Sequence, residues 1–248
     1  MNLNLKGKLA VVTGAGQGIG RSIAISLAEE GVKVILVGRT AEKLENVSKE
    51  LKTPGHVFAS DLMKENAVNE MVESILSNYG EPDILVHNLG GSLATPAFAS
   101  VEDWQKVWYL NVGIAHGLNI AFIPGMVKRK WGRIVHLSTL STKTYNGYPA
   151  YVSAKCAVDG YVKSIQREVS KDNVIISAVA PSVVYAEGRF FSKMLKENPA
   201  FMEDYFKNHL PINRLGTGED IGPMVAFLCS DLASFFAGSI VPIDGGAM

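Results

Sequence analysis

The chain has 248 residues, and its 24 lysines and arginines balance 24 aspartates and glutamates, so its formal net charge is zero. Hydrophobic residues make up 47% of the chain, which excludes an intrinsically disordered protein. The balanced charge gives no sign of a polyanionic partner, and we expect no nucleic-acid binding. The length favours a single α/β domain, residues 1–248.

The cysteine content and the hydropathy pattern point to a compartment. Two cysteines, Cys156 and Cys229, are too few for a disulfide framework and suit a reducing environment. The segment Met1–Lys6 lacks the apolar core of a signal peptide. Uncharged runs such as Val174–Ala186 fall short of the roughly 20 residues that a membrane span needs. We therefore expect a cytoplasmic protein with no membrane partner.

Short apolar runs alternate with segments of helical periodicity along the whole chain. We predict strands at Leu9–Thr13, Val32–Val37, His56–Ser60, Ile84–His87, Gly132–Leu137, Val174–Ala180 and Ile240–Ile243. We predict helices in a first segment ending at Gly31, then at Ala41–Leu51, Glu65–Tyr79, Val101–Lys130 (broken late by Pro124 and Gly125), Tyr151–Val169 and Ile221–Cys229. Repeated β-α units predict an α/β fold of the Rossmann type, a doubly wound parallel sheet with helices on both faces.

A glycine-rich loop joins the first predicted strand to the first predicted helix. Glycines let a backbone approach a pyrophosphate closely, and the helix N-terminus offers amide donors and a favourable dipole. In that context the loop predicts dinucleotide binding through Gly14, Gly16, Gln17, Gly18, Ile19 and Gly20.

The end of the second predicted strand indicates which dinucleotide binds. An NAD site carries an acidic residue there for the ribose 2′-hydroxyl, but this chain has Gly38 and Arg39. A guanidinium cannot accept that hydrogen bond, whereas it can pair with a 2′-phosphate. The sequence therefore predicts NADP(H) in preference to NAD(H).

A tyrosine and a lysine four residues apart form the candidate acid–base pair. On a helix, Tyr151 and Lys155 share one face, one turn apart. A nearby cation favours the ionised phenol, so that the pair can exchange a proton with an alcohol or carbonyl oxygen.

Taken together, these motifs resemble the short-chain dehydrogenase/reductase family, and the resemblance covers essentially the whole chain. The residues that carry it are Thr13–Gly20, Asp61, Asn88, Gly90, Asn111, Tyr151, Lys155 and Asp244–Gly246. Among family members, the chain resembles 3-oxoacyl-carrier-protein reductases and sugar or alcohol dehydrogenases. It departs from the family pattern at Leu89, Ser182 and Ala186.

The resemblance implies a role for each matching residue. Tyr151 would donate the proton, Lys155 would lower the phenol pKa and hold the nicotinamide ribose, and Asn111 would position a water. The further cofactor-binding positions that it implies are Asp61, Leu62, Asn88, Gly90, Pro181 and Val184.

The active-site hydroxyl has two candidates. Ser138 lies thirteen residues before Tyr151, the family's usual spacing, and is the preferred choice. Counted along the strand from Gly132, however, Thr139 takes that place. Neighbouring strand residues face opposite ways, so that only one of the two should point into the site.

The segment at about 187–215 is the least regular and rich in large apolar residues, and by resemblance it forms a lid over the substrate. It suggests a pocket with an apolar wall, to which Tyr148 adds, and a small-molecule carbonyl or alcohol substrate. The five histidines show no metal-ligand spacing, and we expect no metal.

Three functions are compatible with these residues. The first is an NADPH-dependent reductase that converts a ketone to a secondary alcohol. The second is an NAD-dependent alcohol or sugar dehydrogenase, and the third is a non-catalytic cofactor-binding regulator. A regulator would not need Tyr151, Lys155 and Asn111 together, which favours an enzyme. The resemblance and the small residues near Gly160 predict a homotetramer.

Overall fold

Seven parallel strands form one sheet, in the order β3-β2-β1-β4-β5-β6-β7, in a computed structural model that describes residues 2–247. The strands are β1 Leu9–Thr13, β2 Lys33–Gly38, β3 His56–Ala59, β4 Ile84–His87, β5 Gly132–Leu137, β6 Val174–Pro181 and β7 Ile240–Ile243. The winding direction reverses between β1 and β4. Ligands of such sheets bind outside the carboxyl ends of the strands at this switch point.

Ten α-helices connect or follow these strands within residues 2–247. They are α1 Gly18–Glu29, α2 Ala41–Glu50, α3 Ala67–Asn78, α4 Val101–Trp108, α5 Ile114–Arg129, α6 Ser141–Thr144, α7 Pro149–Val169, α8 Phe190–Glu197, α9 Pro199–His209 and α10 Gly218–Leu228. Sheet order and helix placement confirm the predicted single-domain Rossmann fold.

Alternation along the strands builds a hydrophobic layer on each face of the sheet. On one face, Val12 of β1 packs in the same cluster as Ile23 of α1, together with α10. On the other face, Val11 packs in the same cluster as Phe122 of α5 and Val158 of α7. The second layer brings α7 across the carboxyl end of β5, and thereby places the tyrosine–lysine pair at the switch point.

The long helix predicted at Val101–Lys130 differs from the observed one. The predicted break at Pro124 and Gly125 is wrong, because α5 continues through both residues. Proline removes one donor to the carbonyl four residues earlier, and that residue, Ile120, is 63% exposed, so that water can replace the donor. The irregularity lies earlier, where Tyr109–Gly113 forms a π-helical turn between α4 and α5.

This helical stretch, Val101–Arg129, is also long and apolar enough in composition to cross a membrane, alone among the helices described within residues 2–247. Half of its most apolar section is buried in the fold, and Leu118 and Phe122 pack in the layer beneath the sheet. Core helices of globular domains have the same properties.

The predicted lid segment is more regular than the sequence indicated. It contains α8 and α9, which meet at Asn198, whose side chain caps α9 by accepting a hydrogen bond from the Phe201 amide. Met202 and Leu210 lie at the centre of a small hydrophobic cluster that is separate from the two main hydrophobic layers. The segment therefore folds on its own apolar centre at the edge of the domain.

Candidate active site

The glycine loop between β1 and α1 has the geometry of an anion cradle. Gly14 and Gly18 have φ values of +67° and +56°, a left-handed conformation that glycine adopts without strain. A Cβ at Gly20 would lie 2.2 Å from the Gly14 carbonyl oxygen. Gln17, the N-cap residue of α1, makes no side-chain cap, so the first-turn amides stay available to a phosphate.

A side-chain network at the end of β4 holds this loop. Asn88 donates from Nδ2 to the carbonyl oxygens of Thr13 and Gly14, both at 3.0 Å. The Thr13 hydroxyl accepts from the amides of Asn88 and Leu89 and donates to the Val86 carbonyl oxygen. These bonds join the ends of β1 and β4 at the switch point.

Two cations follow β2, Arg39 directly after the strand and Lys43 in the first turn of α2. Arg39 is exposed, and within residues 2–247 its guanidinium makes no salt bridge. Lys43 donates from Nζ to the Gln17 side-chain oxygen at 2.7 Å, and its Cβ lies 3.3 Å from the position of a Cβ built on Gly16. Lys43 is not predicted from the sequence, because its contact with Gln17 joins residues 26 positions apart.

The remaining predicted cofactor positions follow β3 and β6. Asp61 is partly buried, and its carboxylate accepts from the Met63 amide at 3.1 Å. Leu62 is 2% exposed, with its side chain in the core, which leaves its backbone for a ligand.

Pro181 ends β6, and its carbonyl oxygen accepts from the Leu140 amide at 2.9 Å, which ties the end of β6 to the loop after β5. Val184 forms a parallel bridge with Gly216. Both predicted positions therefore lie on backbone that is fixed to neighbouring segments.

Tyr151 lies in the first turn of α7, facing the end of β5. The Thr139 hydroxyl lies near enough to its phenol to lower the phenol pKa. Burial raises the pKa of Tyr151, and the effect of Thr139 opposes this only in part. The Lys155 Nζ lies 5.7 Å from the centroid of the tyrosine ring, and the net shift of the phenol pKa is upward because burial has the largest effect. Tyr148, the N-cap residue of α7, is 44% exposed and available to a bound molecule.

The two candidate hydroxyls face different partners. Thr139 reaches Tyr151, whereas Ser138 is buried and donates to the Asp159 carboxylate on α7 in a short hydrogen bond. The Ser138 proton is directed to Asp159 and away from the phenol, whereas the Thr139 hydroxyl lies near the phenol. This geometry favours Thr139 over the preferred Ser138, and the choice of active-site hydroxyl stays a prediction.

Lys155 is buried where α7, the end of β5 and the π-helical turn meet. Its Nζ donates to the Leu137 carbonyl oxygen at 2.6 Å, and burial lowers its pKa to about 8, against the opposing effect of the Asp159 charge. A Cβ on Gly90 would lie 2.6 Å from the Asn111 Oδ1 and 3.1 Å from Nζ, so that only glycine fits there.

Asn111 holds the loop after β4. Its amide nitrogen donates to the carbonyl oxygens of Gly91 and Val107, and its oxygen accepts from the Gly91 amide at 3.1 Å. The π-helical turn points this side chain inward, as such turns often do at functional sites.

Two histidines are buried between β4, β5 and the helices. The rings of His87 and His136 lie 4.5 Å apart, and burial lowers the pKa of both, so that they are neutral at pH 7. The His87 Nε2 lies 2.8 Å from the Asn119 Oδ1. Within residues 2–247, no three histidine, cysteine or acidic side chains converge into a set that could hold a metal ion.

Comparison with known proteins places this geometry in a family. A family model described as enoyl-(acyl carrier protein) reductase matches residues 14–248. The chain is 32% identical to the 3-oxoacyl-[acyl-carrier-protein] reductase of Aquifex aeolicus, over 99% of each chain.

Two solved structures are similar along their whole length. L-sorbose reductase from Gluconobacter frateurii, complexed with NADPH and L-sorbose, superposes with a TM-score of 0.92 at 31% identity and covers 100% of this chain and 99% of its own. A 7α-hydroxysteroid dehydrogenase complexed with NADH and 7-oxo glycochenodeoxycholic acid gives a TM-score of 0.88 at 30% identity, with 100% and 96% covered. The predicted resemblance is confirmed: the chain belongs to the short-chain dehydrogenase/reductase family of NAD(P)-dependent oxidoreductases.

Proposed function

We propose that this protein is an NADPH-dependent carbonyl reductase that converts a ketone to a secondary alcohol. The observation that carries the proposal is the meeting of the Tyr151 phenol and the Thr139 hydroxyl at the carboxyl end of β5, with Lys155 one turn further along α7. This edge of the sheet also carries the glycine loop. A carbonyl and a dinucleotide can therefore be held side by side.

A nicotinamide cofactor held by the glycine loop would supply a hydride for the carbonyl carbon. Thr139 holds the carbonyl oxygen by its hydroxyl, and Tyr151 donates the phenolic proton to that oxygen as negative charge develops on it. Because burial raises the pKa of Tyr151, the phenol stays protonated at neutral pH, the form that reduction requires. The nearby ammonium of Lys155 stabilises the phenolate that remains.

The residues at the glycine loop fit a nicotinamide dinucleotide, as the uncapped amides of α1 and the close approach of Gly14 and Gly20 indicate. Arg39, as predicted, and Lys43, which the structure adds, could both pair with a 2′-phosphate. The related sorbose reductase binds NADPH, whereas the hydroxysteroid dehydrogenase binds NADH. The two cations favour NADPH for this chain.

Replacing Arg39 with Ala, or Lys43 with Met, should weaken NADPH binding by about 5- to 30-fold, or roughly 1–2 kcal/mol, because each removes one solvent-exposed cation from the 2′-phosphate. NADH binding should change little, since NADH lacks that phosphate. Titration of cofactor fluorescence measures both constants. Lys49→Met, in the last turn of α2, is the matched control and should leave both unchanged. Tighter binding of NADH than NADPH by the wild type would overturn the preference itself.

The substrate is a small-molecule carbonyl compound, and the lid segment indicates an apolar part in it. Phe190 and Phe201 are 57% and 38% exposed and lie edge to face with each other, which offers apolar surface to a ligand. Absorbance of the reduced cofactor, followed with a panel of ketones, β-ketoacyl thioesters and keto sugars, tests the activity. No cofactor consumption with any of them would contradict a reductase.

Two other functions stay distinguishable by the same measurements. The hydroxysteroid dehydrogenase with NADH makes an NAD-dependent alcohol dehydrogenase the second candidate, and it would reduce NAD with alcohols faster than it oxidises NADPH. A non-catalytic regulator would bind cofactor without turnover. We place the activity in the cytoplasm, which the free cysteines Cys156 and Cys229 support.

We also propose a homotetramer, built through the outer faces of α4, α5 and α7. Apolar side chains are exposed on this side, among them Trp108 at 49% and Ile120 at 63%. On α7, Gly160 is exposed, and a Cβ built there meets no atom within 4 Å. A large side chain therefore fits there in the single chain.

Gly160→Trp should lower the mass in sedimentation from a tetramer toward smaller species at micromolar concentration, without loss of helix content. The single chain has room for the ring, whereas a partner helix packed on the glycine does not. Lys163→Met is the control, because it changes an exposed residue one turn further along the same face of α7. A wild type that sediments as a stable 26.7 kDa monomer would refute the assembly.

A further inference from the structure

The end of β5 is fastened to α7 at two consecutive residues. Leu137 accepts at its carbonyl oxygen from the Lys155 Nζ at 2.6 Å, and Ser138 donates from its hydroxyl to Asp159. Lys155 and Asp159 are four positions apart on α7, hence on one face and one turn from each other. Their charged atoms lie more than 4 Å apart, so that the carboxylate is near the ammonium without pairing with it.

The groups around Lys155 supply little negative charge. On α7 it has the neutral phenol of Tyr151, and from the π-helical turn the neutral amide of Asn111. From β5 comes His136, fully buried and neutral at pH 7, whose Nε2 has no hydrogen-bond partner within residues 2–247. Within residues 2–247, Asp159 is the carboxylate whose charge acts on the ammonium.

The surroundings of Asp159 leave that charge available to Lys155. Ser138 fixes its carboxylate by a hydrogen bond, and the serine is only 5% exposed. Lys163, the next cation along α7, is exposed and lies more than 4 Å from the Asp159 carboxylate. The basic residue of α4, Lys106, is paired with Asp103 instead.

We propose that Asp159, held by Ser138, is a positioning residue that keeps Lys155 protonated while leaving its ammonium free of a direct ion pair. A direct ion pair would occupy the Nζ donors, whereas a carboxylate one turn away stabilises the charge and leaves those donors to the site. Ser138 thereby acts on the reaction through Asp159 and Lys155. The inference rests on the proposed reductase function.

The pH dependence follows with a definite sign. Burial has lowered the pKa of Lys155 to about 8, so that the ammonium is present below that pH and is lost above it. Asp159→Asn removes the opposing charge and lowers this pKa further. The alkaline decline of kcat/KM should therefore move to lower pH by about one unit, a loss of about fivefold at pH 8 that approaches tenfold above pH 9, while activity at pH 6 stays near that of the wild type.

The experiment compares pH profiles of kcat/KM, with NADPH and the best ketone of the panel, for the wild type, Asp159→Asn, Asp159→Glu and Ser138→Ala. Asp159→Glu should restore the wild-type profile in large part, and Ser138→Ala should shift it partway. Lys163→Gln, exposed on the same helix, is the control and should not shift it. Circular dichroism at pH 6 checks that each variant is folded.

A uniform loss at every pH, or an unshifted alkaline decline in Asp159→Asn, would overturn the role of Asp159. If Asp159→Asn does not fold, Ser138→Ala decides: a shifted decline supports the proposal and an unshifted one refutes it. Absence of turnover in the wild type would instead overturn the reductase function. An active wild type with an unmoved profile would count against Asp159 alone.

Discussion

Tyr151→Phe should lower turnover by about 10²-fold or more while leaving cofactor binding nearly unchanged. The change removes the phenolic oxygen, which carries the proton for the developing alkoxide, and keeps the ring that packs against the apolar layer of α5 and α7. Because the fold does not depend on that oxygen, thermal unfolding should be close to that of the wild type. Steady-state kinetics and cofactor titration measure the two quantities separately.

Tyr161→Phe is the matched control, since it makes the same change on the same helix away from the site. Its hydroxyl accepts from the Asn119 Nδ2 at 3.1 Å, so its removal should cost about 1 kcal/mol of stability and little activity. Near-normal turnover in Tyr151→Phe would reject Tyr151 as the proton donor.

The second large effect is expected at Thr139. Thr139→Val keeps the branched shape and removes the hydroxyl that meets the phenol, so kcat should fall by about 10- to 10²-fold. Thr139→Ser keeps the hydroxyl and should retain most of the activity. Both are measured at pH 6, below the pKa of Lys155, where the charge of the ammonium is not in question.

Ser138→Ala, measured at the same pH, should stay near the wild-type rate, because the Ser138 hydroxyl donates its hydrogen bond to Asp159. The reverse pattern, a normal Thr139→Val and an inactive Ser138→Ala, would restore Ser138 as the active-site hydroxyl. Wild-type rates in both variants would mean that neither hydroxyl holds the carbonyl.

The strands could be predicted closely from the sequence. β1, β4, β5 and β7 begin and end at the predicted residues, because short β-branched runs between turn residues suit buried parallel strands. The glycine loop was predictable for a related reason: its conformation is local, and Gly14 and Gly18 have the left-handed φ values that glycine tolerates.

The choice between Ser138 and Thr139, unlike the strands and the glycine loop, cannot be made from local sequence patterns. It depends on where α7 lies relative to the end of β5, and the two ways of counting along the sequence disagree by one residue. Only the packed structure shows the hydrogen-bond partner of Ser138, Asp159, which is 21 positions away in the sequence. A signal was present, since Asp159 follows Lys155 by one helical turn, but spacing alone does not show that both face the sheet.

Electrostatic properties were the least predictable. The spacing of Tyr151 and Lys155 suggested a lowered phenol pKa, whereas burial of the phenol has the larger effect and raises it. The burial of this phenol results from the packing of β5, α6 and α7 together, and no local sequence pattern predicts it. The contact of Lys43 with Gln17 escaped prediction for the same reason.

The π-helical turn at Tyr109–Gly113 changes the rotational register of α5 relative to α4 within one continuous helical stretch. An α-helix advances about 100° per residue, so one extra residue in a turn rotates everything after it by about that angle. Val107 before the turn and Leu118 after it are both fully buried, while Asn111 within it points inward. Shortening the turn by one residue would leave the length of the helical stretch almost unchanged. It would nevertheless rotate the apolar face of α5 away from the sheet.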